Sequence, residues 1–91
     1  MVAKNFFDHT GSDGSTVGVR VTDAGYAWSG VAENIAAGQT SVASAMNSWQ
    51  LSEGHCRNLM GASYKHVALA CVRGTSANAY PFYWTMVLAT P

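Results

Sequence analysis

The chain has 91 residues, enough for one core and no more, because a domain of this size buries only about two-thirds of the surface its unfolded chain exposes. Five basic residues balance five acidic ones, and the bases Lys4, Arg20, Arg57, Lys65 and Arg73 are scattered, so neither a nucleic-acid-tracking stripe nor a polybasic membrane anchor can be assembled from neighbours in sequence, which argues against nucleic acid as a partner. With 48% hydrophobic residues the chain is composed to fold, yet no apolar run reaches the roughly 18 residues of a membrane span.

Val2 to Phe7 reads as the last turn or two of a helix, without the apolar region of a signal peptide; export would require a signal removed from or upstream of this chain. His9-Thr10-Gly11-Ser12-Asp13-Gly14-Ser15 is a loop by composition. Thr16 to Ala24 then spaces Val17, Val21 and Ala24 as one face of a short helix, capped by Ser15 and ended by Gly25. Tyr26 to Ala37 is extended, with Val31, Glu33 and Ile35 on one face and Ala32, Asn34 and Ala36 on the other. Glu33 is the anomaly: a carboxylate between Val and Ile either faces water on an edge strand or is desolvated and needs a partner.

Gly38-Gln39 interrupts the pattern, and Thr40 or Ser41 caps a helix bearing Val42, Ala45, Met46 and Trp49 on its apolar face, Trp49 being core. Next comes Leu51-Ser52-Glu53-Gly54-His55-Cys56-Arg57-Asn58-Leu59-Met60. This stretch is either a chemical site, with His55 as metal ligand or acid/base, Glu53 its partner and Gly54 a tight turn, or a plain helix start capped by Ser52. After a Gly61-Ala62-Ser63 turn, Lys65 to Arg73 and Phe82 to Thr90 read as strands joined by the loop Gly74 to Tyr80, with Pro81 at the second strand's start. Both strands are apolar on both faces, which predicts a sheet covered on each side. Cys56 and Cys71 are an even pair without metal-type spacing; the reading is one disulfide, implying an oxidising compartment, against two buried free thiols.

The ordered set Phe6-Phe7-Asp8-His9-Thr10-Gly11-Ser12-Asp13-Gly14-Ser15, Gly25-Tyr26, Ala32-Glu33-Asn34-Ile35-Ala36-Ala37-Gly38, Trp49 with Ser52 to Met60, and Tyr83-Trp84-Thr85-Met86-Val87-Leu88 resembles the bacterial SCP-like branch of the CAP superfamily, kin to cysteine-rich secretory proteins. The resemblance implies an α+β fold, a three-layer α-β-α sandwich around a small, about three-stranded antiparallel sheet, secreted and disulfide-bonded. It also implies a cleft of two histidines and two acids that takes a divalent ion such as zinc, with no organic cofactor. His9, Glu33 and His55 carry over as the candidate metal or catalytic set, although Ala32 replaces the family's glycine before the glutamate. Glu53 stands where the bacterial motif has proline and is a candidate fourth ligand.

Three functions follow from the resemblance: a binding module for a divalent ion or a small or lipid ligand, a hydrolase of peptides or esters using His9, Glu33 and His55, or an interaction domain with a vestigial cleft. The family's long first helix has no counterpart in this sequence, so a homo-oligomer, or completion by an upstream segment, is expected to cover the exposed sheet.

Overall fold

The computed structural model describes residues 1–2 and 4–91. Six elements follow in chain order: α1 (Val17–Asp23), β1 (Gly30–Ala37), α2 (Val42–Leu51), α3 (Glu53–Leu59), β2 (His66–Arg73) and β3 (Phe82–Thr90). The strands form one antiparallel sheet in the order β1-β3-β2, so the last strand is central. Its register runs from Gly30↔Thr90 to Ala37↔Tyr83 on one side and from His66↔Ala89 to Arg73↔Phe82 on the other. An α+β fold with helices about a three-stranded sheet is the architecture expected.

Alternation along the strands sorts their side chains onto two faces. Asn34 and Ala36 of β1 share one face with Trp84, Met86 and Leu88 of β3, and α2 supplies Ala45 and Trp49 to fill it. Trp49 is fully buried and its indole N–H donates to the carbonyl of Ile35 at 3.0 Å, so the largest fully buried side chain also meets the polar demand of its own nitrogen. Ser41 caps α2 by accepting from the amide of Ser44, as one of the two expected capping residues. Val42, expected on the apolar face of that helix, is instead 53% exposed.

The other face carries Glu33 and Ile35 with Thr85 and Val87, and α1 together with the N-terminal loop lies over it. Thr16, one residue later than expected, caps α1 by accepting from the amide of Val19. Gly18 inside this helix is explained by contact: a Cβ there would come within 2.7 Å of the Trp28 ring, whose N–H donates to the Gly18 carbonyl and to Thr22 Oγ1. The segment expected to end a helix at Phe7 forms turns, with hydrogen bonds from the Asn5 amide to Val2 and from the Phe6 amide to Met1, and with Asn5 at φ 51°. Ala3, within that segment, lies outside the described residues.

Two expectations are corrected. Gly54 makes no turn between Glu53 and His55; it lies in the first turn of α3. Cys56 and Cys71 are free thiols and not a disulfide. The reason is topological: α3 packs against β1, whereas Cys71 sits on β2, on the far side of the central strand. Two strand spacings of about 4.8 Å already exceed the usual 4.4–6.8 Å between bridged Cα atoms. An oxidising compartment therefore does not follow from these cysteines. Denatured, unreduced protein is expected to titrate with two thiols per chain, and in the native state the exposed Cys71 should react ahead of the half-buried Cys56; no reactive thiol would contradict this arrangement.

Every residue of β2 is exposed, among them Val67, Leu69 and Val72. The sheet is thus covered on both faces over β1 and β3 but not along β2.

Candidate functional site

Glu33 is buried, with 5% of its side chain exposed, although β1 is an edge strand. Burial of a carboxylate is tolerated when both oxygens are satisfied and the charge is opposed. Both conditions hold: Oε1 lies 2.8 Å from Nδ1 of His9, and Oε2 accepts from Nη2 of Arg20 at 3.0 Å. The desolvated carboxylate that the apolar neighbours implied has the partner it needs, but that partner is an arginine as well as a histidine.

Arg20 does more than neutralise Glu33. Its Nη2 also donates to the backbone carbonyl of His9 at 2.8 Å, while Nη1 donates to the carbonyl and hydroxyl of Ser15 at 2.8 and 3.1 Å. The loop that carries His9 is therefore wound around one guanidinium. Gly11 permits the winding, since a Cβ there would fall 2.6 Å from Ser15 Oγ, 3.0 Å from Asp13 Oδ1 and 3.3 Å from Arg20 Nη1. At the loop's other end Asn78 donates to the carbonyl of Val2 and to Asn5 Oδ1, and the Phe7 ring tilts against Tyr80 and Tyr83.

Asp13 closes the loop by accepting from the Ser15 amide at 2.9 Å. Hydrogen bonding by the Ser15 side chain and backbone holds its carboxyl below the ordinary value of 3.8. A carboxyl whose folded pKa is depressed stabilises the fold above the unfolded value and loses that contribution as pH falls through the folded value. The Asp13 carboxyl resonance is accordingly expected to titrate below 3.8, and a midpoint above it would mean that the turn is open in solution.

The His9 ring borders a cavity of about 180 Å³ lined also by Phe6, Asp8, Arg20, Glu33, Ile35 and Thr85. Nδ1 is occupied by Glu33, and Nε2 has no hydrogen-bond partner among the described residues, which leaves it available at a partly exposed ring. A second cavity of about 350 Å³ shares Arg20 with the first and is largely apolar, with Val17, Val21, Ala24, Val67, Ala68, Val87 and Ala89 in its walls. Tyr26 and His66 also line it, the Tyr26 hydroxyl 2.5 Å from His66 Nδ1.

The other expected ligands lie elsewhere. His55 belongs to α3, on the face of the sheet that Asn34 occupies: the buried Asn34 side chain donates to the His55 carbonyl at 3.2 Å and accepts from Asn58 Nδ2 at 2.9 Å. His55 does not line the His9 cavity and has no hydrogen bond or ion pair to His9 or Glu33 among the described residues. Glu53 is almost wholly exposed and pairs with Arg57 one helical turn on, at 3.2 Å. Among the described residues, no group of three or more His, Cys, Asp or Glu side chains is placed to hold a metal ion. The donor set thus supplies His9 and Glu33 together, with Glu33 already engaged on both oxygens, and does not fit the four-ligand zinc centre expected from the resemblance.

A buried carboxylate that fixes a histidine at the rim of a cleft, on an antiparallel sheet flanked by helices, defines a small α+β domain with a built polar site. The sequence model of the cysteine-rich secretory protein family, CAP, matches residues 1–88, and the chain belongs to that family. It is 29% identical over 76 residues to the uncharacterized protein YkwD of Bacillus subtilis (strain 168), an alignment covering 84% of this chain and 30% of that protein. The crystal structure of an extracellular protein containing a SCP domain from Bacillus anthracis str. Ames superposes with a TM-score of 0.82 at 25% identity, over 98% of this chain and 27% of that one. The chain therefore spans less than a third of the length of both relatives.

Proposed function

We propose that this domain is a secreted binding module whose cleft takes a small amphipathic molecule, its polar end against His9 and its apolar body in the groove between α1 and the sheet. The observation that carries the reading is the shared wall: Arg20 lines both the polar cavity at His9 and the larger apolar one. The polar cavity alone is smaller than the roughly 300–1,000 Å³ of typical ligand sites, so it suits a terminal group and not a whole ligand. Secretion is proposed from the likeness to a protein described as extracellular.

The test is a titration of the labelled chain with octanoate and octanol, followed by amide and histidine resonances. Shifts should concentrate at His9, Val21, Tyr26 and Val87, and Val21→Trp, which fills the groove, should abolish them. Shifts confined to α2 and α3 on the opposite face of the sheet, or none with either compound, would overturn the reading.

A hydrolase is the second reading, favoured by one feature: a histidine whose Nδ1 is held by a carboxylate is arranged to accept a proton at Nε2. Turnover of a short-chain ester that disappears in His9→Ala would support it over binding without chemistry.

A further inference from the structure

We infer that Arg20 is the resident cation of this site, holding Glu33 where a divalent metal would otherwise be required, and that His9 is thereby positioned as a metal-free imidazole with Nδ1 protonated and Nε2 presented to the cleft. The inference stands whether or not the cleft takes an amphipathic ligand. It rests on the disagreement between the donor set and a zinc centre, and on three contacts that close a triangle. The guanidinium binds Glu33 Oε2, the same nitrogen binds the backbone carbonyl of His9, and Glu33 Oε1 binds the His9 ring. Backbone and side chain of His9 are thus fixed by one arginine, directly and through the carboxylate. A metal at Glu33 would bring two positive charges beside a guanidinium already 3.0 Å from the carboxylate, and like charges disfavour one another strongly in a partly desolvated site.

The tautomer follows from the same geometry. An ionised carboxylate only accepts hydrogen bonds, so a neutral imidazole 2.8 Å from Glu33 Oε1 must carry its proton on Nδ1. Arg20 is in these terms a positioning residue. Lysine cannot replace it, because one ammonium on a flexible stem cannot hold the Ser15 carbonyl, the His9 carbonyl and Glu33 Oε2 in the fixed geometry of the guanidinium fork.

The test uses the full, nitrogen-15-labelled chain, treated with chelator and examined at about pH 8, where an ordinary histidine is neutral. Long-range nitrogen-proton spectra should show His9 protonated at Nδ1, against the usual preference of free histidine for Nε2. Micromolar zinc, added alone, should leave the His9 ring signals in place; reading these signals separates this site from zinc captured by the free thiols. In Arg20→Gln, His9 should lose its fixed tautomer, and zinc should act on its signals at concentrations lower by about tenfold or more, because the like charge beside the Glu33 carboxylate is gone. Arg20→Lys should keep the fold but only part of the tautomer preference, and it serves as the readout if Arg20→Gln does not fold. Displacement of the His9 signals by micromolar zinc in the unmodified chain, an Nε2-protonated His9, or unchanged zinc sensitivity on loss of Arg20 would each overturn the inference.

Discussion

Trp49→Ala is expected to lower the unfolding free energy by about 3–5 kcal/mol, the range for removing a buried tryptophan or phenylalanine side chain. In a domain whose whole stability falls within roughly 5–15 kcal/mol, that is the largest loss a single substitution should cause here. Two effects combine. The fully buried ring contacts a core built from Ala36, Ala45, Trp84, Met86 and Leu88, and its loss leaves a cavity that short neighbours such as the two alanines cannot fill. The Ile35 carbonyl also loses the indole donor at 3.0 Å. Trp49→Phe separates the two, since it keeps most of the apolar ring and removes only the donor, for an expected cost of about 1–3 kcal/mol. With a urea slope near 2 kcal/mol/M, the alanine variant should unfold at a midpoint lower by about 2 M. A midpoint within 0.5 M of the parent would mean that α2 is not what anchors this face.

The parts of this fold that could be read in advance were those whose signal is local. Strand alternation placed Glu33 between Val31 and Ile35, where it either faced water on an edge strand or needed a partner, and the 3.6-residue spacing of Ala45 and Trp49 gave α2 its buried face. Three features escaped because they depend on which elements become neighbours. Arg20 lies on a short helix with no buried residue of its own, and a basic side chain in such a position reads as solvated until the helix is laid against β1. His55 was joined to Glu33 through family likeness, whereas in the fold its backbone carbonyl meets Asn34 and it makes no hydrogen bond or ion pair to Glu33 among the described residues. The pairing of Cys56 with Cys71 followed from counting, which carries no strand order; with β3 between β1 and β2, the two cysteines belong to opposite edges.

Asn34 is the residue that joins β1 to α3, and its replacement by leucine is the second large effect. The side chain is fully buried and works in both directions, donating to the His55 carbonyl and accepting from Asn58 Nδ2. Leucine keeps the volume and removes both bonds, so the part-buried His55 carbonyl and Asn58 amide lose this partner. Each such group costs about 1–3 kcal/mol, and because Asn58 retains a long contact of 3.4 Å to the Glu33 carbonyl, the sum should be about 2–4 kcal/mol. Asn58→Ala should cost less, and the double variant less than the two singles added, with a coupling of about 1–2 kcal/mol for residues sharing a hydrogen bond. Strict additivity would mean that the amide pair does not form in solution. Since residues 33 and 34 point to opposite faces, Asn34→Leu should also leave the His9 ring signals unchanged while it destabilises the seat of α3; a simultaneous loss of the His9–Glu33 contact would show that β1 shifts register when its bond to α3 is removed.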